Sequence, residues 1–149
     1  MYCRFRREEY PESFDQFRTS KNALPRQVDK KQFWENSKKE VSMFWKDSEL
    51  GIECKARMDL YDADSMKIID LKFTNNIGKF CKQKIMDQHF SIQAAWYRRG
   101  VYQLTGSECE FLFVFVEKFT PHIIRVMRVS EELIINGEMA ILRAIKKIS

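Results

Sequence analysis

No run of 18 apolar residues occurs in the sequence, so a membrane-spanning helix is not expected. The first residues, Met1-Tyr2-Cys3-Arg4-Phe5-Arg6-Arg7-Glu8, lack the apolar core of a secretory signal. The four cysteines stand at positions 3, 54, 81 and 109, with no CxxC pair and no metal-knuckle spacing. A zinc ribbon and a disulfide scaffold are therefore not expected, and reduced thiols in a cytoplasmic protein are. Cys54 alternates with Ile52, Ala56 and Met58 and reads as a small buried hydrophobe. There is no internal repeat and no low-complexity tract.

What is present suits one folded domain. At 149 residues the chain can bury a sizeable core, and 44% hydrophobic with 13% aromatic content is far from disorder. The net charge of +5 permits a polyanionic partner without establishing one. Residues 1–38 are charged and weakly periodic, with Tyr10, Phe14 and Phe17 able to line a short helix, and read as a basic N-terminal arm. Residues 39–149 read as the core.

Along that core, Glu40 to Trp45 predicts a strand, with Val41, Met43 and Trp45 alternating against Ser42 and Phe44. Residues 47–51 are a turn. Ile52 to Tyr61 predicts a second strand, with Ile52, Cys54, Ala56, Met58 and Leu60 on one face. Residues 62–65 are a turn, and Met66 to Phe73 a third strand. Helices are expected near Lys79–Met86 and Gln88–Leu104, the second stopped at Gly106. Phe111 to Val116 is a continuous apolar run that suits a strand buried on both faces. His122 to Val129 is a more polar strand. Ser130 reads as the N-cap of a last helix reaching about Ile148, with Glu131 and Glu132 in its first turn. Three strands, helices, two strands and a helix predict an α/β fold with a mixed central sheet flanked by helices.

The chemistry concentrates on the hairpin. A 62–65 turn pairs Tyr61 with Met66, Asp59 with Ile68 and Arg57 with Asp70. Arg57, Asp59, Asp70 and Lys72 then share a side, with the two acids diagonal neighbours within about 7–8 Å at Cα. Two such carboxylates can share a divalent cation. The cation would acidify water and neutralise phosphoryl charge, and Lys72 would position the water or stabilise an anionic transition state. A surface pair of strand charges has the same spacing. A second feature lies in the following helix, where Gln93 and Tyr97 share a face at i and i+4. Small Ala94 and Ala95 allow tight packing, Gly100 permits close backbone approach, and Arg98 and Arg99 suit phosphate. Aromatics that simply fill a core would show the same helical pattern.

Together Asp59, Asp70-Leu71-Lys72 and Gln93-Ala94-Ala95-Trp96-Tyr97 resemble the PD-(D/E)xK nuclease superfamily and its QxxxY exonuclease branch. Glu40 to Trp45 followed by Cys54 to Asp59 looks most like the RecE-type exonuclease domain (exodeoxyribonuclease VIII). The resemblance implies a restriction-endonuclease-like core and a double-strand DNA exonuclease working 5′→3′ in phage-type recombination or repair. It implies two Mg²⁺ ions, replaceable by Mn²⁺, a single-strand annealing partner and a homo-oligomeric ring on DNA ends. By that likeness Asp59, Asp70 and the Leu71 carbonyl bind metal, Lys72 is catalytic, and Gln93 and Tyr97 order the site. Arg57, Arg98 and Arg99 are the candidate DNA contacts.

The sequence departs from the pattern at three points. Met58 replaces the proline of the name, and Phe73 follows the lysine where a small polar residue is usual. The acid or histidine expected upstream is missing, since both histidines, His89 and His122, lie downstream, leaving Glu40 as a weak substitute. The chain is also short for the family. A non-cutting module that binds DNA or a recombination partner is the alternative these departures favour. An endonuclease would need a recognition segment larger than residues 1–38. The scattered cysteines do not supply the iron–sulfur cluster of the related helicase-nuclease branch.

Overall fold

The apolar runs pair into one mixed five-stranded sheet of order β1-β2-β3-β4-β5. In the computed structural model, residues 35–77 and 88–147 are described. The strands are β1 (Lys38–Lys46), β2 (Glu53–Asp62), β3 (Lys67–Thr74), β4 (Glu110–Glu117) and β5 (Ile124–Arg128). The helices are α1 (Gln88–Thr105) and α2 (Glu131–Lys146). The expected helix near 79–86 lies outside the described residues, as do residues 1–34 of the expected arm. Among the described residues no helix is long and apolar enough to cross a membrane.

β1, β2 and β3 form an antiparallel meander, β4 joins β3 in parallel, and β5 returns antiparallel. The parallel pair needs a long crossover, which α1 supplies. β4 is buried on both faces, as its unbroken apolar run implies. Phe111, Phe113 and Phe115 face the helices together with Ile68, while Leu112, Val114 and Val116 join Ile69, Leu71 and Phe73 on the other side. β1 alternates as expected, with Met43 and Trp45 in the helix-side core and Phe44 exposed.

Two expectations for the hairpin are corrected. The β2–β3 register is Tyr61↔Ile68 and Asp62↔Lys67, two residues away from the expected pairing, so Arg57 is not paired with Asp70. The cause is Asp62. It stays in the strand, buried, and its carboxylate accepts from the Asp64 and Ser65 amides and the Ser65 hydroxyl, which moves the turn to 63–66. Met66 closes it at φ 50°. A shift of two preserves side-chain parity, so the acids keep their side. The second correction is Leu60. Strict alternation would put it with Cys54, Ala56 and Met58, but those three pack on the helix side and Leu60 on the other. The pleat is therefore interrupted at Asp59.

The helices pack closely because small residues meet at the crossing. Ala94 and Ala95 of α1 are fully buried. A Cβ on Gly137 of α2 would lie 2.1 Å from the Ser91 carbonyl oxygen and 2.8 Å from the Ala95 Cβ. Gly100 does give close approach, to the Trp45 ring at 2.9 Å from a built Cβ. The N-cap of α2 is Ser130, whose side chain accepts from the Leu133 amide, with Glu131 and Glu132 in the first turn. Gly137→Ala should lower unfolding free energy by about 2–3 kcal/mol through overpacking, read by urea denaturation. A wild-type-like midpoint would show that the helix crossing yields.

Candidate active site

The site forms where the sheet forks. β2 and β3 pair only through Leu60↔Ile69, Tyr61↔Ile68 and Asp62↔Lys67. From there β2 runs on beside β1 to Lys46↔Glu53, and β3 beside β4 to Thr74↔Glu117. One step beyond Leu60↔Ile69 places Asp59 opposite Asp70, closer in register than the diagonal expected from sequence. At that step Asp59 replaces the missing strand partner: its Oδ2 accepts from the Leu71 amide at 2.8 Å. The interrupted pleat and the side-chain acceptor are two aspects of one distortion.

Glu40 shares it. The pairs Lys39↔Leu60 and Val41↔Met58 put Glu40 across from Asp59 on β1, and its φ is 52°. A non-glycine residue in that conformation is strained by about 1–3 kcal/mol, a cost that concentrates at functional sites. Its carboxylate is ion-paired to Arg57, and both side chains are about half exposed.

The β3 half of the fork is a closed polar network. Lys72 Nζ donates to Asp70 Oδ1 at 2.9 Å and to Gln93 Oε1 at 3.0 Å. Gln93 Nε2 in turn donates to Asp70 Oδ1 at 2.5 Å. Asp70 Oδ2 lies 2.5 Å from the ammonium, but it is fully buried and has no aligned hydrogen bond. One turn along α1, Trp96 donates its indole N–H to the Lys55 carbonyl on β2. Helix α1 thus spans the opening, with Gln93 on the β3 side and Trp96 on the β2 side.

Burial and the neighbouring Asp70 charge push the Asp59 carboxyl up to about 7, against the pull of the Leu71 amide and Lys72. Burial also pushes Asp70 up, opposed by Lys72 and Gln93. A half-buried carboxylate beside a buried one, whose Oδ2 has no aligned hydrogen bond, is a donor set suited to a hard divalent cation. Asp59 and Asp70 would hold it, with the Leu71 carbonyl a further oxygen. Among the described residues no group of three or more His, Cys, Asp and Glu could hold a metal, so the remaining positions would go to backbone, water or substrate.

The other expected residues lie elsewhere. Tyr97 is buried, its ring 6.1 Å from that of Phe111, toward the far end of β4. Arg98 is held between Glu108 and Glu131. Arg99 chelates the fully buried Asp47 at 2.5 and 2.7 Å and also reaches Glu49. Asp47 accepts the Glu49 and Leu50 amides as well, and the Arg99 guanidinium holds its carboxyl down at about 2. Both arginines are only 12–14% exposed and tie turns to α1. Of the described cysteines, Cys54 and Cys109 are buried free thiols. Phe90, not singled out from sequence, stands over Lys72 with its ring centroid 5.6 Å from Nζ. Its position three residues before Gln93, on the same helix face, was the available signal.

These placements have measurable consequences. Arg99→Ala strands a buried carboxylate and should cost about 3 kcal/mol of stability, read by urea denaturation. The raised Asp59 means that between pH 4 and 7 the folded protein keeps a proton the unfolded chain has lost. Stability without metal therefore falls as pH rises through that window and levels off above about 7. In EDTA, Asp59→Asn should be more stable than wild type at pH 8, by on the order of 2–4 kcal/mol, with the advantage vanishing toward pH 4. Mg²⁺ should raise the melting temperature of the wild type and not of Asp59→Asn. Identical pH profiles for the two proteins would refute the burial argument.

Comparison with known proteins bears on the family and the fold. Residues 4–149 match the family model described as a PDDEXK-like domain of unknown function, DUF3799. A crystal structure from Eubacterium rectale, given the provisional name of exonuclease, superposes with TM-score 0.70 at 21% identity. The match covers 95% of this chain and 53% of that one, so this chain spans about half its length. The structure of SSO0001 aligns at TM-score 0.42 and 13% identity over 72% of this chain and 50% of that one, too distant to support an argument. No curated protein matches. With nearly its whole length matched, the chain belongs to the PDDEXK-like DUF3799 family.

Proposed function

We propose that this domain is a Mg²⁺-dependent DNA exonuclease of the RecE-like type, hydrolysing phosphodiester bonds at the ends of linear duplex DNA in the 5′→3′ direction. The observation that carries the reading is the Asp59–Asp70–Lys72–Gln93 cluster at the sheet fork. A bound divalent cation, which Mn²⁺ could replace, would neutralise charge on the scissile phosphate and acidify an attacking water. The chain's own groups do the rest. Asp59 and Asp70 supply the carboxylates. Of the three N–H donors on Lys72, two are taken by Asp70 and Gln93, which leaves one for a phosphate oxygen. Exposed Lys38, Lys46, Lys55 and Arg57 on β1 and β2 give the neighbouring surface a charge suited to a DNA backbone. A cytoplasmic setting, a single-strand annealing partner and a ring-shaped homo-oligomer complete the proposal. They rest on the family likeness.

A second reading is a nuclease-fold module that holds DNA or a recombination partner without cutting. It is favoured by the lack, among the described residues, of a third ligand beside the two acids. Incubation with linear duplex labelled at one 5′ or 3′ end separates the two readings and gives the polarity. Wild type should release label with Mg²⁺ and stop with EDTA. Asp70→Ala and Lys72→Ala should lose at least about 100-fold in rate. Duplex that is bound but never shortened, in Mg²⁺ or Mn²⁺, would establish the binding module.

A further inference from the structure

Lys72 is enclosed by more than its two oxygen partners. Its ammonium lies 5.6 Å from the Phe90 ring centroid and 5.7 Å from that of Phe113. Phe90 stands edge-on to Phe113 at 5.1 Å and to Phe115 at 6.3 Å, so the rings are fixed relative to one another. Phe113 is fully buried in β4 at the position paired with Asp70. Phe90 is half-buried in the first turn of α1, one turn before Gln93. A lysine side chain has four flexible bonds, and its charge is ordinarily held by water. Here aromatic faces replace that water on two sides and attract the cation through their negative quadrupoles.

We propose that Phe90 is a positioning residue for Lys72: with Phe113 it forms an aromatic cage that fixes the ammonium against Asp70 and Gln93 and directs its remaining N–H toward a substrate phosphate oxygen. The proposal rests on the hydrolytic reading of the site, but the cage exists independently of it. Phe113 is a core residue whose loss would disturb the sheet, whereas Phe90 is half-buried in the first turn of α1 and is the position to vary. The occupant of the cage is a residue of this chain, so no external ligand needs to be assumed. A purely structural Phe90 would contribute packing area, which leucine largely preserves. A cage residue contributes ring charge, which leucine lacks.

The test is a series at position 90 in the full chain: Leu, Tyr, and phenylalanine carrying one, two or five ring fluorines. For a DNA-cleaving wild type, kcat should fall stepwise with fluorination, and Phe90→Leu should lose roughly 3- to 30-fold. KM and melting temperature should stay near wild type, and Phe90→Tyr should retain most of the activity. A flat fluorine series in folded proteins overturns the proposal. If the wild type does not cleave DNA, the hydrolytic reading fails and the cage is read directly by NMR. The Lys72 Cε protons, assigned through Lys72→Arg, should be shifted upfield by ring currents in the wild type and move partway back in Phe90→Leu, where Phe113 remains. Unshifted wild-type resonances overturn the cage whatever the activity.

Discussion

The structure depends on holding two carboxylates beside each other, Asp70 buried and Asp59 half-buried. Asp59 and Asp70 repel, and burial removes the water that would otherwise screen them. Two nearby features offset part of that cost. The β2–β3 ladder stops so that the Leu71 amide can serve Asp59. Lys72 and Gln93 close on Asp70. Glu40 adds to the cost, with a further negative charge and a left-handed conformation at the facing position of β1. A sheet built only for stability would continue the ladder and place apolar residues at these positions. The chain instead carries a local defect in the middle of its five-stranded sheet.

The surrounding framework is correspondingly rigid. β4 inserts three phenylalanines on the helix side and three aliphatic side chains on the other, anchoring β3 along its whole length through parallel pairing. Helix α1 is pressed against this layer by α2 through a glycine–alanine crossing, and pinned at the β1–β2 turn by Arg99 and the buried Asp47. The arginines that look like phosphate ligands in the sequence are used to fix the helix bearing Gln93 and Phe90. Positioning an active group to a few tenths of an ångström requires such support.

Comparison with known proteins establishes the family and the fold, and the chemistry must be argued from the site itself. Asp70, the lysine and the glutamine form one connected network with Asp59 beside it on the Leu71 amide, whereas Tyr97 belongs to the core near Phe111. A motif read along a helix mixes these two roles, because i and i+4 report a shared face and not the distance along it. A helix turn advances about 5.4 Å, enough for Gln93 to touch Asp70 while Tyr97 reaches a different layer of the same core.

Much was determined by local pattern alone. Alternation in β1, the apolar run of β4, Ser130 as N-cap and the extent of α1 are visible because side-chain period and capping chemistry act over a few residues. The pairing of Asp59 with Asp70-Leu71-Lys72 was legible for the same reason, since parity survives a two-residue shift in register. The register followed from the Asp62 carboxylate organising its own local turn. Tertiary structure alone decided the side of Leu60, the commitment of Arg98 and Arg99 to acids mostly far away in sequence, and the rings that enclose Lys72. These outcomes turn on which buried charge finds which partner across the fold, and residue spacing carries no record of that choice.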